Sequence, residues 1–143
     1  MKSIWKIGND IVYEIRRTGN PKLLIDLFDV RTKEWKYHIV SNECGTFGVF
    51  GDLAKLSYIQ GFKLIPTAIE IVNNQIDKDL ITTALSLLLT CIETSNTTEI
   101  PNELLQQWTS INNKVNESNV EDSMKMWNAI NRWYRIDESH NKR

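Results

Sequence analysis

Ile11, Tyr13 and Ile15, then Leu23, Ile25 and Leu27, then Trp35, Tyr37 and Ile39 recur at period two, the spacing of a half-buried β-strand. Between them fall Glu14, Arg16, Lys22, Asp26, Lys36 and His38, which predicts a largely polar opposite face. "TGNP" at 18–21 and "DVRTKE" at 29–34 carry the Gly, Asn, Pro and Asp that reverse a chain. With a further run over Ser3 to Ile7, the pattern predicts an antiparallel meander of about four strands.

After Gly51 the spacing becomes helical. Leu53, Leu56, Ile59 and Phe62 predict a short helix over 52–62, and "TAIE" at 67–70 has the capping-box form that starts a second, carrying Ile69, Val72 and Ile76. The run from Lys78 to Thr94 is apolar on every side, which predicts the buried central helix; Asp77, Asp79 and Glu93 bracket it too closely for a span of about 20 apolar residues. Pro101 suits the first turn of the next helix, whose stripe is Leu104, Trp108, Ile111 and Val115. "SNVE" at 118–121 is a second capping-box form, ahead of a last helix with Val120, Met124, Trp127, Ile130 and Tyr134. Strands followed by helices imply an α+β fold, an N-terminal antiparallel β-meander packed against a C-terminal group of about five helices. The expected division is one domain over 1–143, with a β half at 1–50, a helical half at 51–136 and a frayed tail at 137–143.

Composition adds little to this picture: 41% hydrophobic and 24% charged residues in 143 fit one globular domain. Two cysteines make no disulfide framework, and the broken N-terminal pattern lacks the apolar core of a secretory signal, so a cytoplasmic protein is expected. Charge is more informative. Residues 70–122 hold nine acids against two lysines, a net −7, whereas 123–143 hold five cations against two acids. Such a segment attracts a basic partner and repels a phosphate backbone. The alternative reading places these acids on solvated helix faces, at helix starts.

Chemistry is sparse. The glycines of "ECGTFGVFGDLAK" at 43–55 match neither G-x-G-x-x-G nor a P-loop, so they read as a turn. Cys44 with His38, oriented by Glu43, Asp26 or Asp29, is the candidate nucleophilic pair, without a local hydrolase signature. Two histidines and two cysteines lack the paired spacing of a zinc site, and no metal or cofactor is expected. Arg16, Arg17, Lys22, Lys33 and Lys36 make this half mildly basic beside Trp5, Trp35 and Tyr37, but Trp35 and Tyr37 share the phase of Ile39, on the expected buried face, which weighs against nucleic acid.

The reading that remains is a non-catalytic protein-binding protein, of the kind of a bacterial immunity protein that neutralises a toxin, such as a basic nuclease, by direct contact. Glu99, Glu103, Glu117, Glu121 and Asp122 are its expected contact residues, joined by Phe47 and Phe50 if the aromatic loop faces outward. The alternatives are a small cysteine-dependent hydrolase or transferase using Cys44 and His38, and an adaptor subunit held through residues 47–50.

Overall fold

The computed structural model describes residues 4–38 and 50–136, with side chains described for 6–32 and 50–136. Helices α1 (Ile4–Thr18), α2 (Leu23–His38), α3 (Tyr58–Asn74), α4 (Lys78–Ser95), α5 (Asn102–Ser118) and α6 (Glu121–Tyr134) follow in order, with a 3₁₀ turn at Gly51–Lys55 ahead of α3. Among the described residues there is no strand, so the α+β expectation with its β-meander is overturned by an all-helical arrangement.

The reason lies in what two periods share. Over five residues, period two and period 3.6 both place positions i and i+4 on one face; they differ at i+2, which only a strand puts on that face, and at i+3, which only a helix does. Ile11 and Ile15 satisfy either pattern, and Tyr13 between them is 64% exposed; Ile25, between Leu23 and Leu27, is 42% exposed. The buried set is helical instead: Gly8, Val12 and Ile15 on α1, and Leu24, Leu27, Phe28 and Arg31 on α2. Ion pairs at helix spacing support α1, Lys6 to Asp10 at 3.5 Å and Arg17 to Glu14 at 2.7 Å. The turn at 18–21 stands where expected but joins two helices. Gly19 takes φ +70° and its N–H donates to the Ile15 carbonyl, which closes α1 as glycine does at helix ends. "DVRTKE" lies inside α2, and the expected strand over 3–7 overlaps the start of α1. Trp5, Trp35 and Tyr37 lie on these helices with side chains outside the description, so the argument from a buried sheet face no longer applies to them.

The capping box forms at Ser57, not at Thr67. Ser57 Oγ accepts from the Gln60 N–H, and the Ser57 N–H donates to Gln60 Oε1, both at 3.2 Å. From there α3 runs through Pro66 to Asn74 as one helix, and Ile59 points outward at 68% exposure. α3 crosses α4 closely at Gly61, where a Cβ would stand 2.7 Å from Thr94 Cγ2 and 2.9 Å from the Ser95 nitrogen. α4 is the centre: it packs against α2, α3, α6 and the 3₁₀ turn, and buries Ile81, Thr83 to Ile92 and Ser95. Asp77 caps its start by accepting from the Asp79 N–H at 2.9 Å, and Asn96 in the left-handed region ends it.

α5 and α6 turn the stripes read from the sequence inward, with Leu104, Ile111, Val115, Trp127, Ile130 and Tyr134 buried and Trp108, Val120 and Met124 partly so. The two helices are locked reciprocally. Trp108 Nε1 of α5 donates to Asn131 Oδ1 of α6 at 2.7 Å, and Trp127 Nε1 of α6 donates to Asn112 Oδ1 of α5 at 2.9 Å. The expected capping box at 118–121 does not form, because α5 continues to Ser118 and Val120 takes the cap position of α6 without a side-chain bond.

Candidate functional site

The five acidic candidates are exposed, and helix α5 divides them. Glu99 lies in the loop before α5, its N–H donating to Thr97 Oγ1; Glu103 lies in the first turn of α5, and Glu117 in its last. Glu121 and Asp122 open α6, and Glu121 pairs with Lys125 at 3.3 Å. Glu103 and Glu117 are four helical turns apart, about 21 Å along the axis but only about 40° around it. They mark the two ends of one face.

That face packs against the C-terminal half of α3 through a polar seam. Asn73 Nδ2 donates to Gln107 Oε1 at 3.0 Å, Ser110 Oγ donates to Asn73 Oδ1 at 3.3 Å, and Lys114 Nζ donates to the Gln75 carbonyl at 2.6 Å. At the Glu103 end the seam opens into a groove of about 210 Å³ whose charged lining residues are Glu70 and Glu103, with Asn73, Gln106 and Gln107 beside them. At the Glu117 end it widens into a cleft of about 550 Å³ bordered by Ile76, Lys78, Lys114 and Glu117. Ile76 stands 94% exposed in the connection to α4, an apolar side chain offered to solvent. Among the described residues, Glu70, Glu99, Glu103, Glu117 and Asp122 form no ion pair.

Helix electrostatics sort these acids. Glu103, Glu121 and Asp122 lie in first turns, where the positive end of the helix dipole favours a carboxylate. Glu117 lies in a last turn that carries no basic residue, where the exposed carbonyls repel it. Its charge works against its own helix. Glu70, Asn73, Gln106 and Gln107 were missed as site residues because their neighbourhood exists only once α3 packs on α5; the acidity of Glu70 was the sole legible signal.

The other candidates fall elsewhere. Phe50 is wholly buried and stacks on Phe28, with ring centroids 6.4 Å apart, so it serves the core and is not a contact residue. Phe47 and Cys44 lie outside the described residues, as do Gly45, Gly48 and the His38 side chain. Cys91 is buried in α4, where loss of hydration pushes its thiol up to about 12 and keeps it protonated at neutral pH. The same cause raises the Tyr134 hydroxyl, and the nearby Cys91 adds to it. Glu93, partly buried on α4, has its carboxyl raised by desolvation.

Among the described residues no group of three or more His, Cys, Asp or Glu is placed to hold a metal ion, and no helix is long and apolar enough to cross a membrane. In comparisons with known proteins, no family model, no curated protein and no solved structure matched the chain.

Proposed function

We propose that the chain is a non-catalytic, cytoplasmic binding protein that holds a basic protein partner against the α3/α5 seam, and that it acts as a bacterial immunity protein does, masking a basic toxin domain. Glu117 is the observation that supports this reading most. An exposed carboxylate at this end of a helix is disfavoured by about 0.3–1 kcal/mol, which a cation of a bound partner would offset. Glu70 and Glu103 supply a second acidic point from two different helices, and Ile76 supplies an apolar contact at the far end. The dimensions suit one partner: a standard interface covers about 800 Å² of each protein, a disc roughly 32 Å across, which exceeds the length of the seam.

The test is affinity purification of the tagged chain from its own cells at low and high salt, with the mass of each species measured. A stoichiometric basic protein released by salt is expected, and Glu103→Lys with Glu117→Lys should weaken its binding at least about tenfold. Elution of the chain alone at both salts, or an unchanged affinity in the double variant, overturns the reading. Glu117→Lys by itself should raise folding stability by about 0.5 kcal/mol in denaturant titration, since a cation suits a helix C-terminus. Weaker binding in a more stable protein separates a contact residue from a structural one.

A further inference from the structure

A second cleft, of about 260 Å³, lies between α1 and the 3₁₀ turn, lined by Asn9, Val12, Tyr13, Arg16, Asp52 and Lys55. Its charges are sorted by partner. Elsewhere on these elements cations are consumed by acids: Arg17 lies against Glu14, and Arg31 against Asp52 at 2.6 Å. Arg16 and Lys55 have no acidic partner among the described residues, and both border this one cleft.

The acid on the cleft wall does not cancel them. Asp52 is already neutralised by the buried Arg31 guanidinium, which also donates to Asn9 Oδ1 at 3.3 Å. That pair fixes Asp52 and the Asn9 carboxamide in place, so the wall is preorganised. Gln60 adds a further tie, its Nε2 donating to the Arg16 carbonyl at 2.9 Å and holding the end of α1 against the start of α3. One side of the cleft is aromatic: Tyr13, which lines it, is about two-thirds exposed. Exposed tyrosine and arginine around a small preformed cleft is the composition of an interface anchor, in contrast to the Glu-rich seam.

Size selects the occupant. Pockets for whole small-molecule ligands run from about 300 to 1,000 Å³, and this cleft falls below that range. We infer that it receives a carboxylate side chain, with its apolar neighbour, from an acidic segment of a protein partner. Arg16 and Lys55 pair with the carboxylate, and the Tyr13 ring and Val12 cover the adjoining carbons. The site shares no residue with the α3/α5 seam and takes the opposite charge, so the two stand or fall separately.

The experiment is a ¹H–¹⁵N NMR titration of the full chain with acetyl-Leu-Glu-Glu-Leu-amide, with its Gln-Gln counterpart, inorganic phosphate and a thymidine octanucleotide as controls. Saturable shifts confined to the amides of residues 9–16 and 52–55 are expected with the Glu peptide, at a Kd of about 1 mM, and not with the Gln peptide. Arg16→Gln with Lys55→Gln should weaken this binding at least about tenfold, while Arg16→Lys retains most of it. Both side chains are exposed, and circular dichroism verifies that the variants are folded. Absence of saturable shifts at the cleft, equal binding of the Gln peptide, unchanged affinity of the double variant, or tighter saturation by phosphate or by the oligonucleotide would overturn the inference.

Discussion

Around α4 the interior is leucine, isoleucine and alanine, with the Thr90 and Ser95 hydroxyls bonded back to the carbonyls of Ser86 and Ile92 in the same helix. Between α1, α2 and the 3₁₀ turn it holds a charged guanidinium. The first core draws little on polar bonding, since Ser86 Oγ is buried there without a hydrogen-bond partner, so each apolar substitution is felt chiefly as lost packing. The second gathers Gly8, Asn9, Arg31 and Asp52 from three separate segments, and each member is worth little without the others. Gly8 shows how closely they fit: a Cβ there would lie 2.5 Å from the Arg31 guanidinium carbon. A buried ion pair is a poor source of net stability, because desolvation offsets most of its attraction, but removal of one partner leaves the other charge stranded.

Substitutions can break that contrast. Leu88→Ala in the apolar core should cost about 4 kcal/mol in chemical denaturation, by lost burial and the cavity left behind. A cost below about 1 kcal/mol would mean that α4 is not the packed centre. Asp52→Ala should cost about 3 kcal/mol, and adding Arg31→Met should recover most of that loss. Additive losses in the double variant would show that the two residues do not act as a pair.

The two close glycines sharpen the same point. Gly8→Ala and Gly61→Ala should each cost about 2 kcal/mol through forced displacement of a neighbour. Arg31→Ala should suppress the cost at Gly8, where the obstruction is a side chain. Thr94→Ala should not suppress it at Gly61, where the Ser95 backbone also stands in the way.

Alkaline pH separates the cores more gently. The Cys91 thiol rises from its ordinary value of 9.0 to about 12, so its stabilising share is complete below pH 9 and is lost as pH rises toward 12. Above pH 9 the unfolded chain releases a proton that the folded chain keeps, and stability should fall by about 1 kcal/mol per pH unit. Tyr134 shifts in the same direction and steepens the fall above pH 10. Cys91→Ala should remove the part that begins at pH 9, whereas Asp52 variants should leave that slope intact.

Legibility in the sequence followed the same division. The apolar density of 80–92 and the four-three-four spacing of Leu104, Trp108, Ile111 and Val115 are long enough that only one period fits them, and the structure turns both inward, with Leu80 and Trp108 partly buried. The runs at 11–15 and 23–27 are too short to separate the two periods, and they were misread as strands. The deciding residues were Gly8 and Arg31, which do not look like core residues until they meet. Ser57 and Gln60 offered a capping-box form, Ser-x-x-Gln, equivalent to the Thr-x-x-Glu read at 67–70, but it falls inside the stretch assigned to an earlier helix.

The candidate contact surface shows the limit in another way. Linear order located the acids, and their exposure follows from charge alone, since carboxylates are not buried without compensation. Linear order placed Glu103 and Glu117 in one stretch but could not give the seam between them, Glu70 across the groove, or Ile76 standing clear at its end. The sequence by itself determined the central helix and the two helices that follow it, because their periodicity is long and local, but it misplaced the helix boundaries between 52 and 76. Only the tertiary structure decided that residues 4–18 and 23–38 are helices, that an arginine belongs in the core between them, and which acids share a surface, because each of those depends on contacts between residues far apart in the chain.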